Sequence, residues 1–261
     1  RKIPDRCPEC NSKYIKDFGV GTQKIEEQAK KEFPEANIDR MDVDTTTRKG
    51  SHRKILKKLE NGEIDILVGT QMVAKGHDYP NISVVGVITA DTILNLPDFR
   101  SSERTFQLLT QVAGRTGRGE KIGKVVVQTY SPDHYSIKAA KNHSFRNYYK
   151  KEIKLRKELE YPPFIYLANI IIKGEKEDLV IENANNLGLY LNKFNKKIKS
   201  KLGPSAAPLE KLRGKYRWQI ILKFKDKKCR SQIISRIVKN FLPDITKEIQ
   251  INIDVDPISM L

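Results

Sequence analysis

Arg115 and Arg118 stand three residues apart in the segment Gln111-Val-Ala-Gly-Arg-Thr-Gly-Arg118. In a helical turn that spacing projects both guanidiniums from one face. Two such forks can grip phosphates and stabilise charge developing on a transferring γ-phosphoryl group. Gly114 and Gly117 allow close backbone approach without a Cβ in the way, and Gln111 can orient the loop or a water. The same residues also suit a helix terminus with two solvated arginines. A second segment, Gly69-Thr-Gln-Met-Val-Ala-Lys-Gly-His-Asp-Tyr-Pro80, follows the apolar run Ile64–Val68. The C-terminal end of a parallel strand is where α/β sheets place ligands. There Thr70 and loop amides can hold a nucleic-acid phosphate, and Asp78 can accept from a ribose hydroxyl or lock an arginine. An ordinary βα loop is the alternative.

Cys7-Pro-Glu-Cys10 has the spacing of two thiolates that share one Zn²⁺, but a structural zinc needs four ligands and the sequence supplies no second pair. The expectation is a half-site, metal-free or weakly occupied. Cys229 reads as packing or surface. His77 falls in the Gly69–Pro80 segment, and His52, His134 and His143 read as surface histidines. Lys211, Arg213, Lys215 and Arg217 alternate with Tyr216 and Trp218. Cations for phosphates with rings for bases is a single-strand-binding pattern. Alternation puts Tyr216 and Trp218 on one side of a strand and Arg217 and Gln219 on the other, so one side must face a core.

The elements that must position these groups are of two kinds. In the first half strands alternate with helices. A helix over Thr22–Phe33 opens on a Thr cap, a strand covers Asn37–Asp42, and a helix over Ser51–Asn61 stops at Gly62. Ile64–Val68, Ile82–Thr89 and Lys124–Tyr130 have the apolar continuity of buried parallel strands, and Ser101–Arg118 has helical spacing through Phe106, Leu109 and Val112. This predicts a parallel sheet with right-handed crossovers. A charged helix or helix pair over 133–160 ends at Tyr161-Pro-Pro. Beyond it the order is strand Phe164–Lys173, helix Glu175–Phe194, a short strand near Ala206–Leu212, strand Trp218–Phe224, helix Lys228–Phe241 and strand Lys247–Val255. That β-α-β-β-α-β order is the split βαβ sandwich. The expected division is a remnant at 1–10, an α/β domain at 11–131, a helical linker at 132–160 and an α+β domain at 161–261.

The chain has 261 residues with 49 Lys+Arg against 32 Asp+Glu, a net charge of +17. A hydrophobic fraction of 38% excludes wholesale disorder, and the basic excess points to a polyanionic partner, nucleic acid before membrane. Residues 150–261 carry 24 Lys+Arg against 13 Asp+Glu, so the smaller C-terminal part is the more basic. No apolar run is long enough to span a bilayer. Three cysteines suit a reducing compartment, and an Arg at position 1 suggests a piece of a longer chain.

Taken together, Gly69–Asp78 and Gln111–Arg118 match helicase motifs V and VI. With Gly19-Val-Gly-Thr22, Arg40-Met-Asp-Val-Asp-Thr-Thr46 and Asp98-Phe-Arg-Ser-Ser-Glu-Arg104, the stretch resembles the second RecA-like lobe of superfamily 2 helicases. Gly203-Pro204, Ala207-Pro208, Tyr216-Arg-Trp-Gln219 and Asp254-Val-Asp-Pro257 extend the resemblance to the bacterial primosomal, replication-restart helicases over nearly the whole chain. The resemblance implies Arg118 as arginine finger, Arg115 as a second phosphate ligand with Gln111 beside them, and Asp78 near the nucleotide interface. It places Thr70, Gln71 and Lys75 on a DNA-facing surface, joined by Lys215, Arg217 and Trp218, and makes Cys7 and Cys10 the last pair of a zinc-binding array. The implied whole protein is a cytoplasmic, nucleoid-associated, ATP- and Mg²⁺-dependent 3′-to-5′ DNA helicase. Its implied partners are single-stranded and forked DNA, the single-strand-binding protein's tail, primosome proteins and the replicative helicase loader.

A motor also needs a phosphate loop and an Asp-Glu acid pair. Neither Gly123-Lys124 nor Gly214-Lys215 has the required preceding glycine or following Ser/Thr, and no Asp-Glu dipeptide occurs. This chain alone is therefore expected not to hydrolyse ATP. Two alternatives stand beside this reading: a nucleic-acid-binding module with no motor role, and another superfamily 2 helicase acting on RNA or branched DNA.

Overall fold

The computed structural model describes residues 6, 21–42, 45–46, 50–70, 82–114 and 123–261. They divide into two compact units, one of residues 1–95 and 103–145, the other of 96–102 and 146–261.

In the first unit α1 (Thr22–Glu32), β1 (Ile38–Met41), α2 (Ser51–Glu60) and β2 (Ile66–Gly69) follow one another. β1 and β2 pair in parallel, Ile38 opposite Ile66 and Met41 opposite Gly69. Met41 and Leu56 are buried between α2 and this pair, with Ile55, Leu59 and Leu67 against them. Burying such a side chain contributes about 1.5–3 kcal/mol. Gly62, at φ +74°, closes α2 as its sequence position predicts. The start of α1 differs from expectation: Gly21 is the N-cap with no side-chain cap bond. The Thr22 hydroxyl donates instead to the buried Asp42 carboxylate, a charged acceptor and so the stronger partner.

β3 (Val84–Val87) and β4 (Lys124–Val127) form a second parallel pair. Both were expected to be buried on two faces, yet they alternate, with Val84 58% and Val126 50% exposed. Among the described residues only the face of Val85, Val87, Val125 and Val127 is covered. α3 (Asp91–Leu94) follows β3. Its buried Asp91 accepts from the Thr129 hydroxyl and the Tyr130 N–H, both at 3.0 Å, tying α3 to the end of β4. α4 (Ser101–Ala113) buries Phe106, Leu109 and Val112, the stripe its spacing predicts. Helices α5 (Tyr135–Lys141) and α6 (Phe145–Glu158) fill the stretch read as a helix pair.

The second unit is a four-stranded antiparallel sheet in the order β6-β7-β5-β8, from β5 (Tyr166–Gly174), β6 (Ser200–Leu212), β7 (Lys215–Phe224) and β8 (Ile249–Val255). Helices α7 (Glu177–Asn192) and α8 (Lys227–Asn240) complete the split βαβ order. Ile170, Ile172, Leu187, Leu191, Ile220, Leu222 and Ile237 pack into one core with no exposure. β6 begins six residues earlier than its sequence suggests, because register shifts between Leu202 and Ser205 and between Ala206 and Lys211 break its alternation. Gly203 sits at the first shift with φ +90°, its Cβ position 2.6 Å from the Gln219 carbonyl oxygen. Arg213 and Gly214, both at positive φ, make the two-residue turn into β7. Among the described residues no helix is long and apolar enough to cross a membrane.

Candidate functional site

The parallel register brings the C-terminal ends of β1 and β2 side by side. Met41 lies opposite Gly69, so the chain leaves the sheet at Asp42 and at Thr70 along the same edge. That edge is where an α/β sheet presents loops to a ligand. Thr70 is exposed there. Gln71, Lys75, His77 and Asp78 fall outside the described residues. On the far side of the motif set, α4 carries a half-buried Gln111 in its last turn and ends where the Gly114 N–H donates to the Thr110 carbonyl at 3.1 Å. Arg115 and Arg118 also fall outside the described residues. The structure therefore places Thr70 and Gln111 on the elements that the sequence assigned to them.

What sequence reading missed is the role of Asp42. It is 5% exposed and takes the Thr22 hydroxyl on Oδ2. Its Oδ1 accepts the Thr45 N–H at 3.0 Å, while its own N–H donates to the Thr45 hydroxyl at 2.9 Å. The Thr46 hydroxyl donates to its carbonyl. Arg40 Nε lies 3.3 Å from Asp42 Oδ2 and 3.4 Å from Glu26 Oε2, close enough for charge attraction but without hydrogen-bond alignment. The Thr22 hydrogen bond, then those from Thr45 and the Arg40 charge, hold the Asp42 carboxyl below its ordinary value against the opposing effect of burial. One carboxylate thus fastens the start of α1 and the turn after β1 to the sheet edge. An acid ending a strand with Thr three residues on was the available signal, since Asp and Thr at that offset form local side-chain-to-backbone turns. Beside it opens a cleft of about 690 Å³ lined by Arg40, Thr45, Lys54 and Lys58 with Glu26 and Asp39. Its cations suit a polyanion, and its two acids keep the surface from being uniformly basic.

The second candidate surface is the β6–β7 hairpin. Lys211 Nζ lies 4.1 Å from the centroid of the Tyr216 ring, and Arg217 Nη1 donates to the Leu209 carbonyl at 3.4 Å. Tyr216 and Trp218 are half-buried and pack against the second unit's core. Their faces are therefore partly spent on packing, and Lys215 and Arg217 beside them are half-buried as well. Nearby, Lys201 Nζ is held by the Gly188 carbonyl and the Asn192 side chain.

Other sequence candidates take structural places. His134 is half-buried and caps α5, its Nδ1 accepting from the Ser136 N–H at 3.3 Å, which replaces the surface reading. His143 is exposed at φ +48°. Cys229 is half-buried. Its N–H donates to Asp226 Oδ1 at 2.7 Å, capping α8. Cys7 and Cys10 lie outside the described residues. Among the described residues no three His, Cys, Asp or Glu side chains gather where they could hold a metal ion.

Two domain families match the chain: the helicase conserved C-terminal domain over residues 12–120, and the primosomal protein N C-terminal domain over residues 157–258. Among curated proteins, the replication restart protein PriA of Bacillus subtilis is 46% identical over 261 residues, covering 99% of this chain and 32% of that protein. Its namesake in Synechocystis is 42% identical over 257 residues, covering 98% and 30%. That of Rickettsia felis is 39% identical over 257 residues, covering 98% and 39%. The chain thus spans about a third of the length of these relatives.

Proposed function

Because the chain belongs to the PriA replication restart proteins, as the part that carries their helicase and primosomal C-terminal domains, we propose that it is the second motor lobe and C-terminal domain of an ATP-dependent 3′-to-5′ DNA helicase. The observation that carries this reading is the course of α4. Packed through Phe106, Leu109 and Val112, it holds Gln111 in its last turn, and the sequence continues from Gly114 into Arg-Thr-Gly-Arg118. In this reading Arg118 is the arginine finger and Arg115 a second phosphate ligand, each neutralising charge on an ATP·Mg²⁺ bound mainly by another lobe. Gln111 orients that segment, and Asp78 lies near the nucleotide. Thr70, Gln71 and Lys75 meet the DNA backbone at the β2 edge, and Lys215 and Arg217 do so on the hairpin, with Trp218 buttressing it. Cys7 and Cys10 would supply two thiolates of a four-ligand zinc site.

The lobe would occupy 11–131, the linker 132–160 and the C-terminal domain 161–261. The whole protein would act in the cytoplasm at the nucleoid on single-stranded and forked DNA. There it would meet the single-strand-binding protein's tail, primosome proteins and the replicative helicase loader.

The test is DNA-stimulated ATP hydrolysis by the full-length protein and by this chain. Arg118→Ala in the full-length protein is expected to lower kcat by about 10³-fold or more, the worth of an arginine finger. This chain alone is expected to bind single-stranded DNA with an affinity that falls steeply with salt while hydrolysing no ATP. A full-length Arg118→Ala protein with wild-type turnover would refute the motor role and leave a binding module.

A further inference from the structure

The cations of the second unit are not spread evenly. Residues 183–209, between Glu182 and Glu210, hold five lysines and no acid, and residues 227–243, between Asp226 and Asp244, hold five Lys or Arg and no acid. The first stretch runs from within α7 into β6, and the second takes in all of α8. The fold brings the two together. Lys193 Nζ lies 5.2 Å from the centroid of the Tyr190 ring, and the Arg236 guanidinium lies 5.5 Å from that of Phe194. Those two rings meet edge-on at 5.6 Å, Phe241 lies 5.3 Å from Tyr190, and the Tyr190 hydroxyl donates to the Arg236 carbonyl at 3.3 Å. Lys239 is three residues on from Arg236 and shares its side of α8. Lys196 and Lys197 stand in the turn after α7, where the Lys197 N–H donates to the Phe194 carbonyl at 2.8 Å.

The side chains of Lys193, Lys196, Lys197, Arg236 and Lys239 are all exposed. Among the described residues none of them has an ion-pair partner. Elsewhere in the unit cations find acids: Lys176 pairs with Glu248, Lys199 with Glu160, and Arg230 with Asp256. A soluble surface ordinarily intersperses both signs, and a field of one sign draws in the other. A helix end favours a cation in its last turn, which accounts for Lys193 and Lys239 but not for Lys196, Lys197 or Arg236. The rings beneath the patch are committed to packing: Phe194 is buried, and Tyr190 and Phe241 are half-buried against the unit's core. They hold two of the cations in place and leave no open ring face for a base. What the patch can read is therefore a phosphate backbone without its bases. That suits duplex DNA, whose bases are paired inside, better than a single strand, which is held by stacking as well as by charge. Leu189 and Val238 are the exposed large apolar side chains of the two helices, far short of the apolar face that seats a helix in lipid.

We propose that this helix-side patch is a binding surface for the backbone of duplex DNA, separate from the β6–β7 hairpin. Tyr216 and Trp218 take the core side of β7, so alternation puts Lys215 and Arg217 on the side of the sheet away from the helices. The unit thus offers cations on both sides of its sheet, and those on the helix side are the more exposed. The five side chains meet phosphates without regard to base sequence. The place of such a duplex at a fork rests on the function proposed above; the binding itself does not.

The experiment is fluorescence anisotropy of this chain with a labelled duplex of about 20 base pairs and with labelled oligothymidine of the same length, between about 50 and 200 mM salt. Wild type is compared with a variant carrying Lys193→Gln, Lys196→Gln and Lys197→Gln together, and with one carrying Arg at the same three positions. The Gln variant is expected to bind the duplex about tenfold or more weakly, with a log–log salt slope shallower by about 2–3, while keeping most of its affinity for the single strand. The Arg variant keeps the charge and is expected to bind the duplex as wild type does. Wild-type duplex affinity and slope in the Gln variant would overturn the proposal. Equal losses for duplex and single strand, or a loss in the Arg variant as well, would also overturn it. Deca-glutamate that displaces the duplex at equal charge concentration would reassign the patch to an acidic protein segment, and phosphatidylglycerol vesicles that do so would reassign it to a membrane. None of these outcomes touches the motor role, which Arg118→Ala in the full-length protein decides separately.

Discussion

The β1–β2 edge and the antiparallel sheet of the second unit hold their strands by different means. Ile170, Ile172, Ile220 and Leu222 have no exposure, and that face of the sheet is sealed by apolar side chains from both helices. At the β1–β2 edge Met41 is the one apolar side chain of the described first unit that is fully buried, and the chain beside it is fastened by hydrogen bonds converging on Asp42. An apolar core is indifferent to pH and direction. A carboxylate network is directional and titrates. The contrast is between strands sealed by apolar packing and a strand edge fastened by a directional carboxylate network.

The sharpest way to break this contrast is to remove apolar volume from the sheet. Ile170→Ala or Leu187→Ala is expected to cost about 2–5 kcal/mol, read by urea unfolding through Trp218, which packs on that core and is the chain's single tryptophan. A loss well below that range would mean that the core is not what holds the unit. Next in size is Gly203→Ala. The new Cβ would sit 2.6 Å from a backbone oxygen at φ +90°, so a cost of about 2 kcal/mol is expected from strain and displacement of β6, measured by the same unfolding curve. An unchanged midpoint would show that β6 is free to shift.

The smallest effect sharpens the other side. The Thr22 hydrogen bond holds the folded Asp42 carboxyl below its ordinary value. Its contribution is therefore complete above the unfolded value and is lost as pH falls through the folded one. Exchange protection of β1 and β2 is expected to decline with acid in that window before protection of β5 does. Thr22→Val is expected to cost about 1 kcal/mol at neutral pH and to flatten the acid decline. Simultaneous loss in β1 and β5 would show that the two regions open as one.

Much of the fold was legible because it is written in short-range periodicity. The stripe Phe106, Leu109 and Val112 announces the buried face of α4, Gly62 announces the end of α2, and the change from apolar runs to split strands announces the change from parallel to antiparallel pairing. The site was legible in part. The arginine and Gly69–Pro80 segments advertise phosphate chemistry through residue types and glycine spacing, but Thr22 read as a helix cap and His134 as a surface group because each one's partner or geometry is settled by folding. Tyr216 and Trp218 show the same limit: alternation says that they share a side, and only the sheet says that this side is the core.

By itself, then, the sequence determined the order of elements, the basic character of the C-terminal half and the identity of the motifs, because each follows from neighbours within a few turns. The tertiary structure alone decided that Asp42 gathers Thr22 from 20 residues away and that Asp98 meets Met260 across 162. A buried carboxylate takes whichever donors the fold brings to it, and no local propensity encodes a partner at that distance.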